Sequence, residues 1–167
     1  MKKLLLSAAF IAGLGFTAAA QTEGAVQKLS IGAEVALPTD EGTNGLMFAG
    51  GSVYYEHPIA KSFNLTGAIS YLSLFSTEKN ASGSLGYTSL KAGGKYYFGG
   101  NFYAAGEVGA TIQREGGIGL FAFAPGLGAS FSIANKSSLD FGLRFETWSK
   151  NGSISFLGLR AAYAFGL

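Results

Sequence analysis

The sequence has 167 residues, of which 13% are charged, 14% are aromatic, 26 are glycine and none is cysteine. Soluble domains carry about 25% charged residues, so this composition belongs to a protein that buries itself unusually well or meets lipid. The lack of cysteine excludes disulfides, a lipid-bearing N-terminal cysteine and thiolate chemistry. A net charge of +2 without any dense basic patch gives no footing for a nucleic-acid partner.

The first predicted element is a leader. Lys2 and Lys3 precede an apolar stretch from Leu4 to Phe16, and Ala18 and Ala20 supply the small-x-small pattern of a cleavage site before Gln21. The stretch is shorter than the roughly 20 residues a membrane-spanning helix needs. Residues 1–20 are therefore expected to be a cleavable signal peptide and residues 21–167 a single exported domain. Both lysines leave with the leader, so basic residues fall from 12 to 10 against 10 acidic ones, and the mature domain is close to neutral. Later in the sequence the best apolar run, Ile118 to Ala129, is short and interrupted by Pro125 and glycines. A protein of this kind can cross a bilayer only as a closed barrel, which pairs every backbone group internally.

Period-two alternation recurs throughout the mature part and predicts eight strands, at 28–37, 46–57, 63–75, 85–98, 102–113, 118–133, 138–148 and 154–166. Short turns at 57–62, 99–101 and 134–137 alternate with longer polar connections at 38–45, 76–84, 114–117 and 149–153. That alternation is the arrangement of an outer-membrane barrel. In the first strand Leu29, Ile31, Ala33, Val35 and Leu37 share one face, and Lys28, Ser30, Gly32 and Glu34 the other. The same division recurs in six further strands; only in the second do the two faces differ little. The expected fold is all-β, an eight-stranded antiparallel up-and-down transmembrane β-barrel.

Volume decides which face is outside. An eight-stranded barrel has an interior just wide enough for side chains to fill it. The faces rich in Phe, Leu and Tyr are too bulky for that space, whereas the Gly, Ala, Ser and Thr faces with a few long charged chains fit. The apolar faces are thus expected to meet lipid. Tyr55, Phe63, Tyr96, Phe98, Phe102, Phe131, Tyr163 and Phe165 gather near the short turns and read as an interfacial aromatic girdle.

The inward parity carries Glu34, Glu56, Lys91, Lys95, Glu107, Asp140, Arg144, Glu146 and Arg160. A hairpin centred near Gly100 sets Glu107 opposite Gly93, flanked by Lys91 and Lys95. Another near Asn151 sets Arg160 opposite Gly142, between Asp140 and Arg144. Four basic and five acidic groups nearly cancel, so a paired, plugged polar core is expected.

Catalytic chemistry finds little support. The sole histidine, His57, precedes Pro58 at a predicted turn, where a packed or solvated ring is the ordinary reading. With one histidine and no cysteine, no metal site or cofactor is expected, and the Gly-x-Gly matches lie inside strands rather than before helices.

The alternation, the KYYFGGNFYAAGEVGA hairpin and the PGLGASFSIANKSSLDFGLRFE segment resemble the outer membrane protein β-barrel domain family, which includes OmpX-like and opacity-type small barrels. The resemblance spans the mature chain. It implies an address in a Gram-negative cell outer membrane, contact with its lipid and lipopolysaccharide, and dealings with the barrel-assembly machinery, which reads an aromatic at the end of the last strand. Here Tyr163 and Phe165 keep that parity and Leu167 continues it. The loops are shorter than those of adhesive relatives. The expected role is a non-enzymatic structural or accessory subunit of the envelope, with a larger envelope complex as a candidate partner. A small porin-like channel and a lipid A-modifying enzyme are the alternatives.

Overall fold

The computed structural model describes residues 26–43, 45–76 and 84–167; the expected signal peptide and most of the connection after the third strand lie outside the described residues. Eight strands follow in order: β1 (Lys28–Pro38), β2 (Leu46–Ala60), β3 (Phe63–Ser76), β4 (Ser84–Phe98), β5 (Phe102–Gln113), β6 (Gly119–Ala134), β7 (Ser137–Ser149) and β8 (Ser153–Gly166). Each pairs antiparallel with its neighbour in sequence, and β1 pairs with β8 to close the barrel. The turn end carries the turns at 61–62, 99–101 and 135–136 together with the described chain ends. The loop end carries the described connections at 39–43, 114–118 and 150–152.

Where sequence and structure differ, the cause is local. His57 and Pro58, expected in a turn, continue β2 and face Leu65 and Asn64 of β3. A register shift between Pro58 and Ala60 then absorbs the extra residue, and a bulge is where a strand tolerates proline. Pro125 is accommodated differently. It faces Gly106 of β5, but on its other side the pairing with β7 omits Ala124 and Pro125 before resuming at Gly126. Gly99 and Gly100 both take positive φ in the turn between β4 and β5, which a side chain would resist.

In β2, where alternation left the faces ambiguous, Phe48, Ser52 and Glu56 are buried and Val53 is exposed. Pairing with β1 settles this, because Glu34 sits across from Gly50 and any one-residue slip would turn every β2 side chain over. All around the barrel the outer surface is apolar: Ile31, Ile69, Leu90, Leu127 and Leu159 are exposed, and Leu90 most of all at 64%. The inward parity holds Ser30, Glu34, Lys91, Lys95, Thr111 and Asp140, all buried. Leu90, opposite Ile69 and Ala110, therefore tests the orientation. Leu90→Arg is expected to cost about 2–4 kcal/mol of folding free energy in a bilayer, measured by urea unfolding in lipid vesicles; an unchanged midpoint would mean that this face does not meet acyl chains.

Candidate functional site: the barrel lumen

The lumen has two tiers. Through its middle and turn end runs a string of alternating charges built from five different strands. Lys95 Nζ lies 2.7 Å from both Glu56 Oε1 and Asp140 Oδ2. Asp140 Oδ1 is 3.5 Å from Arg160, whose Nε lies 3.6 Å from Glu34 Oε1. Glu34 Oε2 accepts from Arg144 at 2.8 Å. Arg144 Nε donates to Glu146 Oε2 at 2.6 Å, and the same carboxylate meets Lys91 Nζ at 2.7 Å. The order is Glu56, Lys95, Asp140, Arg160, Glu34, Arg144, Glu146, Lys91, so each interior cation lies between carboxylates except Lys91 at the end. Four positive and four negative groups balance, which meets the condition that makes buried charge tolerable.

Neutral donors complete the carboxylates. Glu56 Oε2 accepts from Asn64 Nδ2 at 2.9 Å and from the Tyr97 hydroxyl at 3.0 Å. Asp140 Oδ1 accepts from the Tyr103 hydroxyl at 2.7 Å. Arg160 donates to Ser52 and Ser30. Lys95 Nζ also sits 3.7 Å from the centre of the Tyr103 ring, a favourable place for a cation. Tyr103 reaches this position because β6 has Gly128 beside it: a Cβ there would lie 2.3 Å from the Tyr103 hydroxyl oxygen.

Eight of the nine inward charges named from the sequence thus meet in one network. The ninth, Glu107, does not join it. Its register is as read, opposite Gly93, but neither flanking lysine pairs with it. Lys91 and Lys95 lie on the neighbouring strand, and their long stems carry the ammonium groups across the lumen to Glu146 on β7 and to Glu56 on β2 and Asp140 on β7. Arg160 faces Gly142; it pairs with the flanking Asp140 and, in addition, with Glu34 on β1.

The second tier is apolar, where a paired polar core was expected. Toward the loop end the lumen is filled by Ala36, Phe48, Leu72, Ala122, Trp148 and Phe156, all buried. The rings of Phe48, Trp148 and Phe156 lie 4.8–5.3 Å apart, centre to centre, and Tyr87 stacks against Trp148 at 4.9 Å. The signal was present in the sequence: Phe48, Leu72, Trp148 and Phe156 share the parity of the serines and carboxylates. Only the turn-end half of the interior has charges to pair, and the loop-end half is filled by ring and aliphatic bulk instead. Trp148 joins the tiers, its Nε1 donating to Glu146 Oε1 at 2.7 Å.

His57 lies apart from both tiers. Its Nδ1 is 3.4 Å from the Tyr55 hydroxyl. Among the described residues no cluster of three or more His, Cys, Asp or Glu side chains could hold a metal ion.

The closed eight-strand topology, with an apolar exterior and an interior filled by a charged tier and an aromatic one, can be set beside solved structures. Neisserial surface protein A aligns with a TM-score of 0.67 and 14% identity, over 87% of this chain and 100% of that one. The protein has the fold of the small outer-membrane β-barrels. Ail, the attachment invasion locus protein of Yersinia pestis, gives a TM-score of 0.56 and 18% identity, covering 84% of this chain and 99% of that one. The outer membrane protein OprG of Pseudomonas aeruginosa gives 0.55 and 10%, covering 89% and 99%. At these identities the likeness is one of fold. No protein-family model and no curated protein matches the sequence.

Proposed function

We propose that the protein is a non-enzymatic outer-membrane barrel, a structural or accessory component of a Gram-negative envelope, whose lumen is closed to solutes. The observation that carries this reading is the filling of the interior. A neutral string of eight charges occupies one half, and a close-packed aromatic tier the other. The fold shared with outer-membrane proteins supports the address, as does an outer surface of leucine, isoleucine and phenylalanine suited to acyl chains and lipopolysaccharide. In that address the turn end faces the periplasm and the aromatic tier the outside. Export by the signal peptide, insertion by the barrel-assembly machinery and membership of a larger envelope complex belong to the same proposal. Gentle detergent extraction followed by co-purification tests the last of these, with a stoichiometric companion as the expected result.

The single-channel experiment decides between plug and porin. The purified barrel in a planar bilayer is expected to give no steady current above the bare membrane. A large, lasting conductance would replace this reading with a channel. For lipid A chemistry, the hydrogen-bond partner of His57 among the described residues is the Tyr55 hydroxyl, not a carboxylate that would orient a catalytic base. Unchanged lipid A masses with and without the protein are therefore expected.

A further inference from the structure

One part of the outer wall lies lower than its surroundings. Ala161 of β8 faces Phe141 of β7 on one side and Ala33 of β1 on the other, and all three are exposed on the outer face. The neighbouring rows hold Leu139, Tyr163 and Ile31 toward the turn end, and Leu143, Leu159 and Val35 toward the loop end. Two alanines among such bulk leave an apolar depression of about 540 Å³, with Ala33 and Ala161 as its floor.

Toward the turn end the depression gives way to polar groups. The Tyr163 hydroxyl donates to Ser137 Oγ at 2.7 Å, which leaves the serine's own proton for an acceptor. Lys136 precedes Ser137 and is exposed, and among the described residues it takes part in no ion pair. Its backbone carbonyl accepts from Gly166 N, which holds the turn against β8. Among the described residues the surface charge of the turn end has one sign: Lys28, Lys61 and Lys136 reach it, and the acid there, Glu56, is buried against Lys95. The loop end mixes Asp40, Glu41 and Glu115 with Arg114 and Lys150. Ser137 faces Phe165, four residues from Ala161, or about 13 Å along a strand. That is less than the roughly 15 Å from the edge of the hydrocarbon to the bilayer centre.

We propose that this outer seam holds one phospholipid with an anionic headgroup. Its phosphate is bound by Lys136 and by the Ser137 hydroxyl beside Tyr163, and one acyl chain lies in the depression over Ala33 and Ala161. The inference rests on the outer-membrane address proposed above, in which the turn end meets the periplasm-facing leaflet. A hydroxyl with a proton to give, next to an ammonium without a carboxylate, suits a phosphate oxygen, and the apolar depression suits a hydrocarbon chain. A second barrel fits less well, since a two-fold pair across this patch brings each Lys136 toward its copy. The bound lipid covers the seam where β1 and β8 close the barrel.

The test adds dioleoylphosphatidylglycerol or dioleoylphosphatidylcholine to the folded barrel in detergent and counts the retained lipid by native mass spectrometry. One phosphatidylglycerol per barrel is expected, with a preference of about fivefold or more over phosphatidylcholine, the effect of a single lysine at an anionic surface. Lys136→Gln is expected to abolish that preference, whereas Lys150→Gln at the loop end keeps it. Ala161→Phe, which fills the depression from the lipid side, is expected to lower phosphatidylglycerol retention about fivefold; should it fail to fold, Ala33→Leu takes its place. Equal retention of the two lipids by the wild type, a preference that survives Lys136→Gln, or retention untouched by filling the depression would each overturn the proposal. Flotation with vesicles of the same lipids separates this from the address. A barrel that enters them yet retains neither lipid ends the proposal alone, and one that enters neither removes the membrane address as well.

Discussion

Lys95→Met is expected to be among the most damaging single substitutions in the lumen, at about 3–5 kcal/mol, because removing one partner strands buried charge. Among the described residues, Lys95 is the only cation ion-paired with Glu56 and one of two beside Asp140. All three side chains are almost fully buried, so water cannot take over. Asn64 and Tyr97 would still reach Glu56, but neutral donors offset only part of a full charge. Lys91→Met provides the internal comparison. It leaves Glu146 with Arg144 and the Trp148 indole, and is expected to cost less, about 1–3 kcal/mol. Adding Glu56→Gln to Lys95→Met should recover much of the loss, since the stranded charge goes with it. Urea unfolding in lipid vesicles, followed by the gel-mobility difference between folded and unfolded barrel, gives all three values. Equal losses for Lys91→Met and Lys95→Met would contradict the assigned pairing.

Trp148→Ala is expected to lose about 3–5 kcal/mol, the usual range for emptying a packed aromatic site, and to admit water to the loop end of the lumen. The residue is 1% exposed, contacts Phe48, Tyr87 and Phe156, and also donates to Glu146. It is the only tryptophan in the sequence, so its fluorescence reports on this tier alone. In the parent, emission should be blue-shifted and insensitive to iodide. Phe156→Ala, which leaves the indole in place, should shift emission to the red and let iodide quench it. Iodide quenching of the untouched parent would show that the loop end is open.

How much of this was legible beforehand differs from level to level. The strands could be read because alternation is a local property: inward serines, threonines and charges such as Ser30, Ser70 and Asp140 are flanked by outward bulky apolar residues next to them in the chain. β2 resisted because Met47-Ala49-Val53-Tyr55 and Phe48-Ser52-Tyr54-Glu56 are alike in bulk, and only Gly50 meeting Glu34 on β1 breaks the tie. The inward position of Lys91, Lys95 and Glu107 followed from parity and hairpin register. Their partners did not follow, because a lysine stem spans the lumen as readily as it reaches a neighbouring strand, and Arg144 meets Glu34 across 110 residues of sequence. The aromatic tier is harder to read because Phe48, Leu72 and Phe156 share the inward parity of the ions while matching in type the lipid-facing bulk of the opposite parity. Those residues occupy the half of the barrel where the charges stop.

The alternating string also constrains how the barrel can be assembled. The first hairpin, β1–β2, supplies only acids to it, Glu34 and Glu56, and β4 only bases, Lys91 and Lys95; the remaining members come from β7 and β8. The first four strands hold two acids and two bases of the string, yet only Glu56 and Lys95 pair among them; Lys91 meets its glutamate and Glu34 both of its arginines only when the last two strands arrive. A growing, half-inserted sheet would therefore hold uncompensated ions at the edge of the hydrocarbon, so membrane entry and final seam closure are bound together as a single late event.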